Sequence, residues 1–189
     1  MAERVATIDT SVLLSLQSTG MIGAVSVLFT RLLVPVAVRR ELAADGRKNS
    51  AAVRALEEFQ IFDACNDYDA ASVDVLLQER THRGAGRDEG EAEAVVQAAQ
   101  RSAQMVLVDD ALGRSWAKGM ALEFHGTLWI FEQLRTIEYV TKLRPHFEQL
   151  LRSQRRQPRA VMNEYLRQYD EPEINEEEFR RLRSEGERL

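Results

Sequence analysis

Arg4-Val5-Ala6-Thr7-Ile8-Asp9-Thr10-Ser11-Val12-Leu13-Leu14 is an apolar, partly β-branched run that stops on a carboxylate and resumes as a second apolar run. The pattern predicts a buried strand, its C-terminal tip and the capped start of a helix, with Asp9 at the tip. In open parallel sheets, ligands bind in the crevice outside the carboxyl ends of the strands, so an acid there is placed for chemistry. Asp9 or Ser11 would serve equally well as an ordinary helix cap. The stretch alone leaves both readings open.

Outward from this stretch the same punctuation recurs. Met105-Val106-Leu107-Val108 is a second clear strand, and it ends on Asp109 and Asp110. A short strand at Leu32-Leu33-Val34 runs into Pro35, a residue suited to a first helical turn, which predicts a helix over 35–44 carrying Arg39, Arg40 and Glu41. Apolar spacing predicts further helices over 11–18, 21–30, 49–58, 68–80, 111–119 and 128–136, another opening at Asp88-Glu89-Gly90-Glu91, and brief strands at 60–62 and 122–124. Thr81 to Arg87 reads as a glycine-rich basic loop. Strands alternating with helices at this spacing predict an α/β sandwich around a central, mainly parallel sheet. Helices expected over 138–154 and 159–168 follow without another strand, and Asn175 with Glu178 forms a capping box before a helical tail. The expected organisation is a domain over 1–137 with a helical C-terminal extension over 138–189.

Composition narrows the chemistry. The single cysteine, Cys65, cannot close an internal disulfide, and neither thiolates nor the three scattered histidines supply a metal site. A metal here would be held by oxygen, which points to Mg²⁺ or Mn²⁺. The N-terminus has no basic lead-in to an apolar segment, and charges interrupt every long apolar run, so a soluble cytoplasmic protein with no membrane partner is expected. The net charge of −5 is uneven. Residues 170–189 hold eight acids against four arginines, whereas Lys142, Arg144, Arg152, Arg155, Arg156 and Arg159 crowd the stretch 142–159 against Glu148 alone. That basic stretch would suit a polyanion such as RNA, or a solvated helix face whose arginines pair with the acidic tail.

Asp9, Glu41, Glu91, Asp109 and Asp110 stand out by position. If the two strand tips share a crevice, their carboxylates raise one another's pKa unless a cation neutralises them, and a divalent cation can activate water and clamp a phosphodiester. Each acid also has an ordinary explanation. Asp88 with Glu91 would make a capping pair, Glu41 would pair with Arg39 or Arg40, and one of Asp109 and Asp110 would cap the next helix. Glu93, on the helix of Glu91, is expected to be a solvent-facing charge.

Taken in order, Ile8-Asp9-Thr10-Ser11-Val12-Leu13, Pro35-Val36-Ala37-Val38-Arg39-Arg40-Glu41-Leu42, Gly90-Glu91-Ala92-Glu93-Ala94, Leu107-Val108-Asp109-Asp110 with Arg114 and Ala117, and Gly126-Thr127-Leu128 resemble the landmarks of PIN-domain proteins. The resemblance covers about residues 4–137. The Gly-Glu-x-Glu-Ala landmark is similar to a subgroup that accompanies small antitoxins in toxin–antitoxin operons. It implies a three-layer α/β/α sandwich and a Mg²⁺- or Mn²⁺-dependent endoribonuclease, with an antitoxin partner and a homodimer as expected assemblies. Carried across, Asp9, Glu41 and Glu91 match the first three acids, and Asp110 or Asp109 the fourth. The catalytic set is then Asp9, Glu41, Glu91 and Asp110, with Asp9, Glu91, Asp109 and Asp110 as metal ligands. Glu91 is chosen over Glu93 because it directly follows the glycine. Ser11 matches a small polar residue near the metal, and Arg114 and Arg87 are expected to touch substrate phosphates.

Two other acid-bearing folds fit less well. A phosphorylation-dependent receiver domain places its paired acids early, and a haloacid-dehalogenase-type phosphatase wants an acid where Ser11 stands. The alternative from another class is a module of the same fold that acts through a protein partner with its metal site weak or unused.

Overall fold

The computed structural model describes residues 3–44, 50–78 and 88–186. Five strands, β1 (Val5–Ile8), β2 (Arg31–Val34), β3 (Phe62–Ala64), β4 (Met105–Leu107) and β5 (Glu123–His125), form one sheet in the order β3-β2-β1-β4-β5. All four pairings are parallel. The three inner strands are buried on both faces, which is why they read as continuous apolar runs instead of alternating ones.

Alternate strand residues feed two cores. Ala6, Ile8, Leu32, Val34, Met105 and Leu107 pack on one side. That layer is built by α1 (Thr10–Ser18), a 3-10 turn at Ile22–Val27, α2 (Val36–Ala44), α3 (Ser50–Glu58), α7 (Thr127–Thr136), α8 (Arg144–Arg152), α9 (Arg159–Gln168) and α10 (Glu176–Gly186). Val5, Leu33, Val106 and Val108 face the other side, under α4 (Ala70–Gln78), α5 (Glu89–Gln100) and α6 (Ala111–Gly119). The result is the expected α/β/α sandwich, with helices on both faces of a parallel sheet. Phe147, Leu150, Leu151, Met162, Leu166, Ile174 and Leu182 belong to the same core cluster as Ile8 and Leu107, so α8, α9 and α10 share the core of the sheet.

Several boundaries differ from the sequence expectation. The apolar run 21–30 forms only the 3-10 turn; Gly23 lies so close to Phe59 that a Cβ there would come within 2.7 Å of the ring. Strand β3 lies two residues beyond the expected 60–62, and only Phe62 of it is buried, so this edge carries little apolar signal. The helix expected from 138 begins at Arg144, because Glu138 turns left-handed at φ 60° and Pro145 sits in the first turn of α8. No helix among the described residues is long and apolar enough to cross a membrane.

Candidate active site

From β1 the chain moves outward through β2 to β3, then returns to place β4 on the other side of β1. The sheet therefore has its switch point between β1 and β4, where a crevice opens at the carboxyl ends of the strands. Asp9 follows β1 directly, and its backbone N–H donates to Leu107 O at 3.1 Å across that seam. Asp109 and Asp110 follow β4, Glu41 projects from α2 after β2, and Glu91 lies in the first turn of α5.

Asp9 is only 1% exposed. It is itself the N-cap of α1, accepting the Val12 N–H at 2.9 Å on Oδ1 and the Ser11 hydroxyl at 2.8 Å on Oδ2. Cap and crevice acid are thus one residue. Burial first, then the charge of Asp109 and more weakly that of Glu41, push its carboxyl up from 3.8 to about 7 against the lowering effect of the two donors. Glu41 accepts the Thr10 hydroxyl, which ties α2 to the start of α1, and accepts the Gly90 N–H at 3.2 Å. A Cβ on Gly90 would lie 3.0 Å from both Glu41 carboxylate oxygens, so the glycine of the Gly-Glu-x-Glu-Ala run is what admits Glu41.

The paired acids after β4 have different surroundings. Asp109 accepts the Thr127 N–H at 2.8 Å, the Thr127 hydroxyl at 2.6 Å and the Gln157 amide at 2.8 Å, with Arg114 Nη2 3.9 Å away. Gly126 permits this: a Cβ there would stand 2.5 Å from Asp109 Oδ1. Asp110 is exposed and caps α6 through the Leu112 N–H at 2.8 Å. Asp109, and not Asp110, is the neighbour whose charge acts on Asp9.

These side chains line two clefts. One, of about 240 Å³, is lined by Asp9, Thr10, Ser11, Glu41, Glu91 and Arg155. The other, of about 310 Å³, is lined by Ser11, Glu91, Asp109, Asp110, Arg155 and Gln157, among others. Ser11, Glu91 and Arg155 belong to both. Glu93 takes no part, and the expectation of a solvent-facing charge is corrected: it is 2% exposed, accepting the Ala37 N–H at 2.7 Å and the Tyr68 hydroxyl. Its carboxylate satisfies the open N-terminus of α2, a partner 56 residues away that no local pattern announces. Asp88 makes no side-chain cap bond at the start of α5.

Arg114 donates through Nε to Val108 O at 3.2 Å and borders a third cleft of about 130 Å³ with His125, Trp129, Gln157 and Tyr165. Arg87 and the basic loop 81–87 lie outside the described residues. Sequence reasoning gave no role to Thr10, Thr127, Gln157 or Gly90. Of these, Thr10, Gly90 and Thr127 stood inside quoted landmarks, while Gln157 reaches Asp109 from a turn with no signature of its own.

Carboxylates and hydroxyls are the hard oxygen donors that Mg²⁺ or Mn²⁺ takes, and an acid raised to about 7 by burial first and by neighbouring acids second is one whose charge a cation would favour, so the donor chemistry fits. Among the described residues no three His, Cys, Asp or Glu side chains close into a metal-holding cluster as they stand. Hydrogen bonds to Thr10, Gly90, Thr127 and Gln157 hold Glu41 and Asp109 instead.

A family model described as a PIN domain matches residues 5–171, from β1 through α9. No curated protein matches the chain.

Proposed function

This chain belongs to the PIN-domain family, and on that premise we propose that it is a divalent-metal-dependent endoribonuclease that hydrolyses RNA phosphodiester bonds as the toxin of a toxin–antitoxin pair. PIN domains are in general nucleases and in general bind divalent metal. The observation that carries the reading is the meeting of Asp9, Glu41, Glu91 and Asp109 at the sheet's switch point, with the charge of Asp9 buried among them.

Asp9 and Glu91 would hold Mg²⁺ or Mn²⁺ with Glu41 and with Asp110 or Asp109. A bound divalent cation supplies Lewis acidity toward a phosphoryl oxygen and toward water. The chain's own residues set the stage for it. Ser11 and the Val12 N–H fix the rotamer of Asp9, Thr10 and the Gly90 N–H fix Glu41, and Thr127 with Gln157 fixes Asp109. Such positioning lowers the reorganisation needed on binding. The neighbouring cleft shares Gln157 with the acidic one and offers Arg114, His125, Trp129 and Tyr165, a setting for an unstacked base of a single strand. A small antitoxin and a second copy of the chain are the proposed partners, in a cytoplasmic setting.

A second reading, a binding module acting through a protein partner, draws on the tight hydrogen bonding of Asp109 and on carboxylates that do not close into a ligand set. Purified protein incubated with an RNA panel separates the two. The nuclease reading expects cleavage with Mg²⁺ or Mn²⁺ that is lost in EDTA and in Asp9→Asn and Glu91→Gln. Cleavage that survives those changes refutes it, and no cleavage by the wild type leaves the binding module.

A further inference from the structure

The arginine-rich stretch around α8 and α9 divides into two sets. Arg144 pairs with Glu178 and, at 3.0 Å, with Glu148; Arg152 pairs with Glu148 at 3.3 Å and Glu185 at 3.1 Å; Arg159 pairs with Glu176 at 2.9 Å. These three are taken up largely by the acidic α10. Arg155, in the connection from α8 to α9, instead lines both carboxylate clefts.

The connection is pinned on both sides of Arg155. The Gln154 N–H donates to Leu151 O at 3.1 Å, the Arg155 N–H to Leu150 O at 3.0 Å, and the Gln157 side chain to Asp109. The backbone at Arg155 is held in place, and its side chain is incompletely used. Its Nε is buried and has no hydrogen-bond partner among the described residues. A buried donor without an acceptor is costly, and a ligand acceptor in the clefts that Arg155 lines would relieve that cost. Burial draws the guanidinium below its ordinary value while Asp109 pulls it back up, so it stays charged at any physiological pH.

The five carboxylates that line the two clefts by themselves repel a phosphodiester. A planar fork of donors at the junction of the two clefts reverses that repulsion for an anion with two oxygens on one phosphorus. We propose that Arg155 is a phosphate-binding residue of the acidic cleft, so that the connection between α8 and α9 completes the substrate site. The proposal rests on the nuclease reading and names the contact that brings the strand to the acids.

The test is equilibrium binding of a short labelled single-stranded RNA, and of DNA of the same sequence, in EDTA across a salt series, with Mn²⁺-dependent cleavage measured in parallel. Arg155→Ala is expected to weaken RNA binding about tenfold, the worth of one charge-assisted contact. It should also flatten the slope of log affinity against log salt by about 0.7, one phosphate's share on a single strand. Arg155→Lys should keep the slope and lose part of the affinity. Arg180→Ala removes the same charge from an exposed position on α10 and should change neither. Cleavage by the wild type, with affinity and slope unchanged in Arg155→Ala and Arg155→Lys, overturns the role of Arg155 alone. Binding that depends on Arg155 without any Mn²⁺-dependent cleavage by the wild type keeps that role and overturns the nuclease reading. Failure of the wild type to bind either strand in EDTA overturns the role of Arg155, and together with an absence of Mn²⁺-dependent cleavage it overturns both.

Discussion

Replacing Asp9 with asparagine should make the metal-free protein more stable at alkaline pH, although it removes the residue around which the site is built. The folded carboxyl titrates at about 7, against 3.8 for the exposed group, because burial and the charges of Asp109 and Glu41 oppose ionisation. Between those two values the folded state holds a proton that the unfolded state has released. Stability contributed by this proton is therefore complete below about pH 4 and lost as pH rises through about 7. At 1.36 kcal/mol per pH unit, the interval sets about 4 kcal/mol as the upper scale of the loss at pH 8. Asparagine carries no charge, is as good an N-cap as aspartate, and can still accept the Val12 N–H. For a chain of this size each kcal/mol moves the melting temperature by about 2–4 °C, so Asp9→Asn should melt higher than wild type in EDTA at pH 8, with an upper limit of about 8–16 °C. The difference should vanish by about pH 4, and Mn²⁺ should reverse the order at pH 8 by stabilising only the wild type. Thermal denaturation followed by circular dichroism at the two pH values reads all of this. A variant less stable than wild type at pH 8 in EDTA would refute the account of Asp9 as a buried charge among acids.

Gly90→Ala gains about 1 kcal/mol of helix propensity in α5 yet puts a Cβ 3.0 Å from both oxygens of Glu41. Mn²⁺ titration calorimetry should therefore show weaker binding at nearly unchanged thermal stability. Glu93→Gln weakens the acceptor shared by Ala37 and Tyr68, and should cost about 1–3 kcal/mol in urea denaturation while Mn²⁺ affinity holds. Neutralising Glu176, Glu178 and Glu185 to glutamine removes the α10 partners of Arg159, Arg144 and Arg152, and leaves Glu148 to the last two. RNA affinity measured by fluorescence anisotropy should rise and its salt slope steepen, and an unchanged slope would mean that these arginines lie off the path of the strand.

The parts of this architecture that the sequence announces are those governed by local burial. Strands β1, β2 and β4 are apolar on both faces, so each shows as an uninterrupted run, and the acids that terminate two of them mark the strand tips without any knowledge of the pairing. Glu41 and Glu91 were legible by their distance from a strand end and a helix start. What stayed hidden depends on contacts between distant segments. Glu93 has the same neighbours in sequence as a surface charge, and only the arrival of α2 and Tyr68 buries it. Arg155 showed in the sequence only as one cation of the basic stretch 142–159, suited to a polyanion or to the acidic tail, and Gln157 carried no signal; they reach the acids because α8 and α9 pack on the sheet's first core. The cap and the crevice acid are compatible readings of Asp9 because a helix cap needs only one of a carboxylate's two oxygens.

The central place of β1 has a consequence for how the chain emerges from the ribosome. Within this sheet β1 is made before every other strand, yet one of its two neighbours, β4, is translated roughly 100 residues later, a delay of about 5–20 s at ordinary elongation rates. During that interval the nascent chain can pair β1 with β2 and β2 with β3, but the β1 edge that will receive β4 is bare, an apolar template for wrong partners. The acids are separated in time as well as in sequence, since Asp9 waits for Asp109 and both wait for the connection that carries Arg155. Until β4 emerges, a growing polypeptide of this kind holds no assembled acidic crevice.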